Sequence, residues 1–376
     1  MRQILALLLL SAVLLPGQEQ NLQEPNVDEA LTISDDPDLI NFRTEINMVS
    51  LPVVVRGPKG EYVNGLEKSD FTIWDNEVQQ KIDNFDVSFQ PISMVICIQT
   101  SDRVEGMVDR VKGMAVLFTD AVLGEFGETA LISFDSRLKL LSEFTGDTKE
   151  VEKALNSFRI GAGGIRVSDA VYEAIRMLNR RPENHKRVIV VIAEGQDNGS
   201  KISLGETMRT AQLYNIMVYP IYLSTLKARL KNPPPVPGGP FPPGINPLPT
   251  TPGTVSTPTT YQQSHNNATP NMIPLVTDLI IGVKNLVFKD ALAALSTATG
   301  GEHYKPMTDE GIEDAIVKIG EDLRSQYLLS YQPNNLNSQG IYHRVEVQVP
   351  YTNAKVRTRP GYFYGPRPVA DGEDAP

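Results

Sequence analysis

Three chemically capable side chains, Ser101, Asp102 and Arg103, follow directly on a run of almost wholly apolar residues, ISMVICIQ (92–99). A hydroxyl, a carboxylate and a guanidinium in succession could make a nucleophile, a cation ligand or an anion receptor. The nucleophile needs a base placed beside it. The four histidines, His185, His265, His303 and His343, are scattered and have no metal-ligand spacing. There is no G-x-S-x-G elbow and no P-loop, and GAGGIR (161–166) lacks the third glycine of a dinucleotide fingerprint. Ser101 therefore reads as a capping or turn residue, and the sequence carries no catalytic constellation. Cys97, the only cysteine, lies inside the apolar run and reads as a small buried hydrophobe. A disulfide within the chain and a cysteine-based metal site are excluded. Asp102, Asp135 and Asp197 are further oxygen donors, read as solvated carboxylates.

The elements that position these groups follow from periodicity. Residues 92–99 predict a strand buried on both faces. Val104, Val108, Val111, Met114, Ala115, Phe118, Ala121 and Val122 form one apolar stripe, which predicts a helix. Strand, polar turn and helix open a doubly wound α/β unit, whose ligands sit at the carboxyl ends of the strands. The Gln99–Arg103 turn is therefore the expected binding edge. Residues 128–136 and 137–144 read as a strand pair, 147–158 and 167–180 as helices, 187–195 as a buried strand, 203–215 as a helix and 216–224 as a strand. After residues 231–274, dense in Pro, Gly, Thr and Ser, helices are expected at 289–301 and 309–325, with a short strand at EHYKP between them. That insert should leave the sheet at its carboxyl edge, beside the Gln99–Arg103 turn.

On either side of the α/β unit the pattern is β-type. Residues 44–88 carry short runs broken by Gly, Asn and Asp turns, and 326–365 carry three more. In HRVEVQVP (343–350), Val345, Val347 and Val349 alternate with Arg344, Glu346 and Gln348. Pairing the two β regions gives a small split antiparallel β-sandwich, with the α/β unit (91–325) inserted into it. The N-terminus, a basic start followed by an apolar run and then Pro16-Gly17, reads as a signal peptide over 1–17. Residues 18–43 read as an acidic, mobile leader and 366–376 as a tail. The expected location is periplasmic or extracellular. With a net charge of −10 and no basic face, non-specific binding to nucleic acid or to an anionic membrane is not expected, nor is stable membrane insertion.

ICIQTSDRV, GETALISFDS, GAGGIRVSDAVYEAI, RVIVVIAEGQDNGS and ALSTATGGEHY, in this order, resemble a von Willebrand factor type A (VWA) domain. With EYVNGLEKSDFTIWDNEVQQKIDNFD before them and QYLLSYQP…VRTRPGYF after, the chain is similar to secreted type A-domain proteins of Acidobacteria. The resemblance implies a Rossmann-type sheet and a binding role, not catalysis. It also implies where a divalent cation is commonly held: by an Asp-x-Ser-x-Ser turn, a Thr in a Gly-rich loop and an Asp after a later strand. In this chain Gln99 stands for the first Asp, Ser101 is kept, Arg103 stands for the second Ser, Ile165 for the Thr and Glu194 for the later Asp. Arg103 is cationic and Ile165 apolar, so neither can coordinate. The expected ligand-binding face is Gln99, Ser101, Asp102, Arg103, Ile165, Arg166 and Glu194, with no cofactor and a degenerate metal-ion-dependent adhesion site (MIDAS).

These features describe an exported, non-enzymatic interaction or adhesion module acting on a protein partner at the cell envelope. Arg103, paired with Glu194, would lie where the cation would sit and could engage a partner's carboxylate. Two other readings stay open: a metal-dependent adhesive domain with altered ligands, in which Ser101 and Glu194 hold Mg²⁺, and a secreted hydrolase with an unrecognised site.

Overall fold

A computed structural model describes residues 30–31, 48–87, 90–107, 111, 113–161, 163–223, 290–334 and 342–363. The expected signal peptide, the Pro-rich insert 231–274 and the tail lie outside the described residues.

The central sheet is built on the strand Ile92–Gln99 (β6), every residue of which is buried. Its side chains divide by parity, as a strand with covered faces requires. Met94, Ile96 and Ile98 enter one core, and Val95 and Cys97 enter the other. Glu128–Phe134 (β7) and Lys186–Ala193 (β9) flank it in parallel, and Met217–Tyr222 (β10) extends the parallel set. Leu138–Thr145 (β8) returns antiparallel to β7 as the expected hairpin. Among the described residues the order is β1-β8-β7-β6-β9-β10, where β1 is Ala30–Leu31. The leader is thus not without structure throughout: β1 pairs antiparallel with β8, Ala30 opposite Lys139 and Leu31 opposite Leu138.

Helices cover both faces. Thr148–Ser157 (α1) is capped by Asp147, whose carboxylate accepts from the Lys149 N–H at 2.8 Å. Val167–Asn179 (α2) and Leu204–Leu213 (α3) follow. Ala291–Thr299 (α4) starts at Asp290, which caps Leu292 and Ala293, and ends at the left-handed Gly300. Asp309–Arg324 (α5) closes the unit.

Two expectations changed here. The stripe from Val104 to Val122 is not one helix. Among the described residues it holds a 3₁₀ segment (Asp102–Met107), a helical Val111, one α-helical turn (Ala115–Leu117) and a π-helical turn (Phe118–Leu123), with a turn at Gly113–Met114 between them. Gly106 and Gly113 weaken helical continuity, and the Thr119 hydroxyl donates back to Ala115 O and Val116 O. Val104, Val111, Met114, Phe118 and Val122 still reach the core, so burial followed the stripe although the helix did not. EHYKP reduces to a single bridge, Tyr304 with Ile221. Pro306, which lacks an N–H, prevents a longer ladder.

The flanking β regions pair as expected. Val49–Arg56 (β2), Asn84–Asp86 (β5), Tyr327–Tyr331 (β11) and Lys355–Arg357 (β13) form a sheet in the order β13-β2-β11-β5. Thr72–Asp75 (β3), Val78–Gln80 (β4), Tyr342–Gln348 (β12) and Gly361–Phe363 (β14) form the other, in the order β14-β12-β3-β4. Each sheet mixes strands from before and after the α/β unit. Val345 and Val347 face the shared core, the side their alternation indicated. Asp75, wholly buried, joins the two sheets: it accepts from Tyr331 on β11 at 2.8 Å and from Tyr362 on β14 at 2.7 Å, and lies 2.7 Å from His343 Nδ1. The fold class is therefore a mainly parallel α/β sheet inserted into a split antiparallel sandwich.

Candidate functional site at the carboxyl end of the sheet

The turn after β6 is fixed by backbone bonds to both neighbours: Thr100 N–H donates to Phe134 O and Gly161 N–H donates to Thr100 O, each at 2.8 Å. Gln99 and Ser101 are completely buried within it. The Gln99 amide has a definite orientation. Its Oε1 accepts the Glu194 backbone N–H at 2.8 Å, which turns its Nε2 toward Ser101 Oγ (2.7 Å) and Glu194 Oε2 (3.4 Å). Arg103 closes the cluster, with Nε 3.1 Å from Glu194 Oε2 and Nη1 donating to Gln196 Oε1 at 3.2 Å. A third of the Arg103 side chain remains exposed (33%), against 7% for Glu194. The guanidinium is held at its base and open to solvent at its rim.

The other expected site residues separate into two groups. Asp102 is exposed beside this turn. Ile165 is not on the face: its side chain is fully buried in the core beneath α2. Its backbone is clasped by the following loop, since its N–H donates to Asn198 Oδ1 (3.0 Å) and its carbonyl accepts from Asn198 and Gly199 N–H. An apolar side chain at this position gains burial by turning inward. Arg166 binds Asp169 Oδ2 through Nε at 2.6 Å and Ser136 O through Nη1 at 3.3 Å, bracing two loops.

The remaining carboxylates have scaffolding work. Asp169 accepts from Lys201 N–H and Ile202 N–H. Asp197 accepts from both N–H and Oγ of Ser168 in the first turn of α2. Asp135 accepts the Arg137 N–H at 2.7 Å. Asp135 and Asp197 are thus not free surface carboxylates. Gln196, Asn198 and Asp169 escaped the sequence reading, because polar residues that clamp loops have no periodic signature.

This donor set does not fit a hard divalent cation. The Gln99 amide presents N–H groups, not a carboxylate, toward Ser101 and Glu194, and the guanidinium occupies the open side of Glu194. Among the described residues no group of three or more His, Cys, Asp or Glu could hold a metal ion.

Gly195, next to Glu194, has a further constraint. A Cβ there would lie 2.7 Å from Asp290 Oδ2 and 2.9 Å from Tyr222 Cε1. Tyr222 and Asp290 border the stretch 224–289, and Leu223 N–H donates to Ala193 O at 2.9 Å. The described residues that flank 224–289 therefore meet beside Glu194.

Residues 94–196 match the family model described as von Willebrand factor type A domain. No curated protein matches the chain significantly. Among solved structures, the chain is similar to an aerotolerance-related membrane protein from Bacteroides fragilis, with 14% identity and a TM-score of 0.38 over 61% of this chain and 98% of the other. It is similar to BatB from Bacteroides thetaiotaomicron at the same identity and TM-score, over 61% and 99% of the two chains. It is also similar to proximal thread matrix protein 1 from the mussel byssus, solved with a zinc-occupied MIDAS motif, with 9% identity and a TM-score of 0.41 over 66% and 50% of the two chains.

Proposed function

We propose that this chain is an exported, non-enzymatic protein-interaction module whose binding face lies at the carboxyl end of the central sheet, with the Arg103 guanidinium where type A domains commonly hold a cation. One observation carries the reading: Arg103 is fixed to a nearly buried Glu194 at 3.1 Å and to Gln196 at 3.2 Å, and still exposes a third of its side chain. A guanidinium so placed is oriented in advance for a partner carboxylate, which it can bind through two parallel hydrogen bonds. The basic and apolar N-terminus, Met1–Leu15, supports export, and the partner is then a protein of the cell envelope. The wider resemblance to secreted type A-domain proteins fits this reading.

Thermal unfolding with excess Mg²⁺, Ca²⁺ or Mn²⁺, against a chelator control, tests it. A ligand that binds only the folded state raises the midpoint by mass action. The native chain is expected to show no shift, while Gln99→Asp combined with Arg103→Ser should gain one by restoring oxygen donors around Ser101 and Glu194. A clear shift in the native chain would overturn the fixed-guanidinium reading in favour of a cation site with altered ligands.

A further inference from the structure

A groove of ≈ 90 Å³ opens beside the turn just described, with Thr100 and Asp135 in its floor and Arg137, Lys139, Leu141 and Arg159 around it. Arg137 and Arg159 are exposed. Three cations along one groove stand out in a chain of net charge −10. The outer edge of this groove is β8, and β8 is where β1 adds. Lys139 and Leu141 project to the same side of the strand, and Ala30 is the residue directly opposite Lys139. The chain around β1 is acidic: Asp28 and Glu29 precede it, and Asp35, Asp36 and Asp38 follow.

We propose that this groove is a docking site for the chain's own acidic leader, Asp28–Asp38, with β1 as its anchor and the carboxylates paired with Arg137, Lys139 and Arg159. Because β8 runs away from the carboxyl end of the sheet, β1 runs toward it. Asp35 and Asp36, four and five residues beyond Leu31, need a reach of roughly 13–17 Å to meet the groove, which extended chain of that length supplies. The leader is then an internal occupant of the sheet edge. It covers unpaired strand groups that would otherwise recruit an extended segment of another chain. This inference rests on β1, the groove and the charge complementarity, and holds whether or not Arg103 binds a partner.

Hydrogen exchange of the full chain, read by mass spectrometry over 28–32 and 138–140, tests it. Neutralising the leader (Asp28→Asn, Glu29→Gln, Asp35→Asn, Asp36→Asn and Asp38→Asn) changes none of the described residues. It should speed exchange in both stretches about five- to tenfold, the effect of two or three exposed ion pairs of ordinary strength. Raising the salt concentration should do the same to the native chain. Arg137→Glu with Arg159→Glu should also release the strand, and turning Asp35, Asp36 and Asp38 to Lys in that background should restore protection. Unchanged exchange on neutralisation would overturn the proposal. Release without rescue by charge reversal would overturn the groove as the seat. Protection that rises with protein concentration would mean that the leader pairs with a second copy, and would overturn the internal occupant.

Discussion

The molecule holds two clusters of charge around a buried carboxylate, and they are built differently. At the carboxyl end of the sheet, Glu194 pairs with Arg103, which also donates to the exposed Gln196. At the junction with the sandwich, Asp322 on α5 is fully buried and draws partners from both units. Tyr219 of β10 donates to it at 2.7 Å, Arg56 of β2 at 3.3 Å, and Arg357 of β13 forms an ion pair with it. Glu302 adds a second carboxylate 2.7 Å from Arg56. Burial pushes the Tyr219 phenol up, so it stays a neutral donor there. In the first cluster a single guanidinium is the exposed member; in the second the central carboxylate is fully buried and shared by two cations, each 24% exposed. A carboxylate bound by two cations and a phenol from separate elements ties the two units together, while a lone guanidinium held at its base keeps its exposed rim available to something outside.

Removing the central carboxylate of the junction should have the largest effect. Asp322→Ala strands two guanidiniums and a buried phenol, and should lower stability by about 3 kcal/mol in equilibrium urea unfolding. A loss below about 1 kcal/mol would mean that apolar contacts alone join the units.

Glycines beside the two clusters sharpen the contrast. A Cβ on Gly301 would lie 2.0 Å from the Val218 carbonyl oxygen, which is backbone in the central sheet. Gly301→Ala must therefore move β10 and should cost about 2 kcal/mol or more. A Cβ on Gly195 meets the side chains of Asp290 and Tyr222, which can rotate away, so Gly195→Ala should cost about 1 kcal/mol. Thermal midpoints of the two variants check the order, and a reversed order would mean that the surroundings of Gly195 are the stiffer region.

Lys186 lies on the junction side, where its backbone N–H meets Pro91 O and its Nζ donates to Leu323 O at 2.6 Å. Burial pushes its ammonium down to about 8, only partly opposed by Asp86 and Asp322. The unfolded chain, with an ordinary lysine near 10.4, binds more protons between these values. Stability should therefore rise as pH climbs from about 8 to about 10.5, and be flat in this group below 8, where both states are charged. Lys186→Met should abolish that rise. At pH 7 it should stabilise the chain by about 1–2 kcal/mol, less than the full shift because the bond to Leu323 O is lost. A native chain whose stability does not rise over that pH window would show the ammonium to be better solvated than its burial indicates.

These contrasts also show how far the sequence could be read. The strand 92–99, its place at the centre of a parallel sheet and the pairing of the two β regions follow from apolar runs and alternation, which burial enforces directly. The Arg103–Glu194 pair was expected only from the resemblance, which sets Arg103 where the cation would sit and Glu194 in place of the later Asp. Three things were not legible. The helix after the turn breaks into 3₁₀ and π segments, because glycines and a back-bonding threonine act locally while the stripe reports only which side is buried. Ile165 turned inward, since alignment on a motif gives a position and not a direction. The junction cluster was invisible: Arg56, Glu302, Asp322 and Arg357 are ordinary surface types in sequence, and only the return of the chain to the sandwich brings them together.

The smallest expected effect is the one that decides what the open cluster is for. Arg103→Ala removes a half-exposed cation, while Glu194 keeps the Gln99 amide at 3.4 Å. Ion pairs of this exposure contribute about 0–1 kcal/mol, so urea unfolding should move by no more than that. Set beside Asp322→Ala, a near-neutral result would mean that the fold does not need the guanidinium, which leaves its fixed geometry to be explained by something it binds. A loss as large as that of Asp322→Ala would mean that Arg103 is part of the scaffold. The two clusters would then be alike, and the partner face would have to be sought elsewhere on this edge of the sheet.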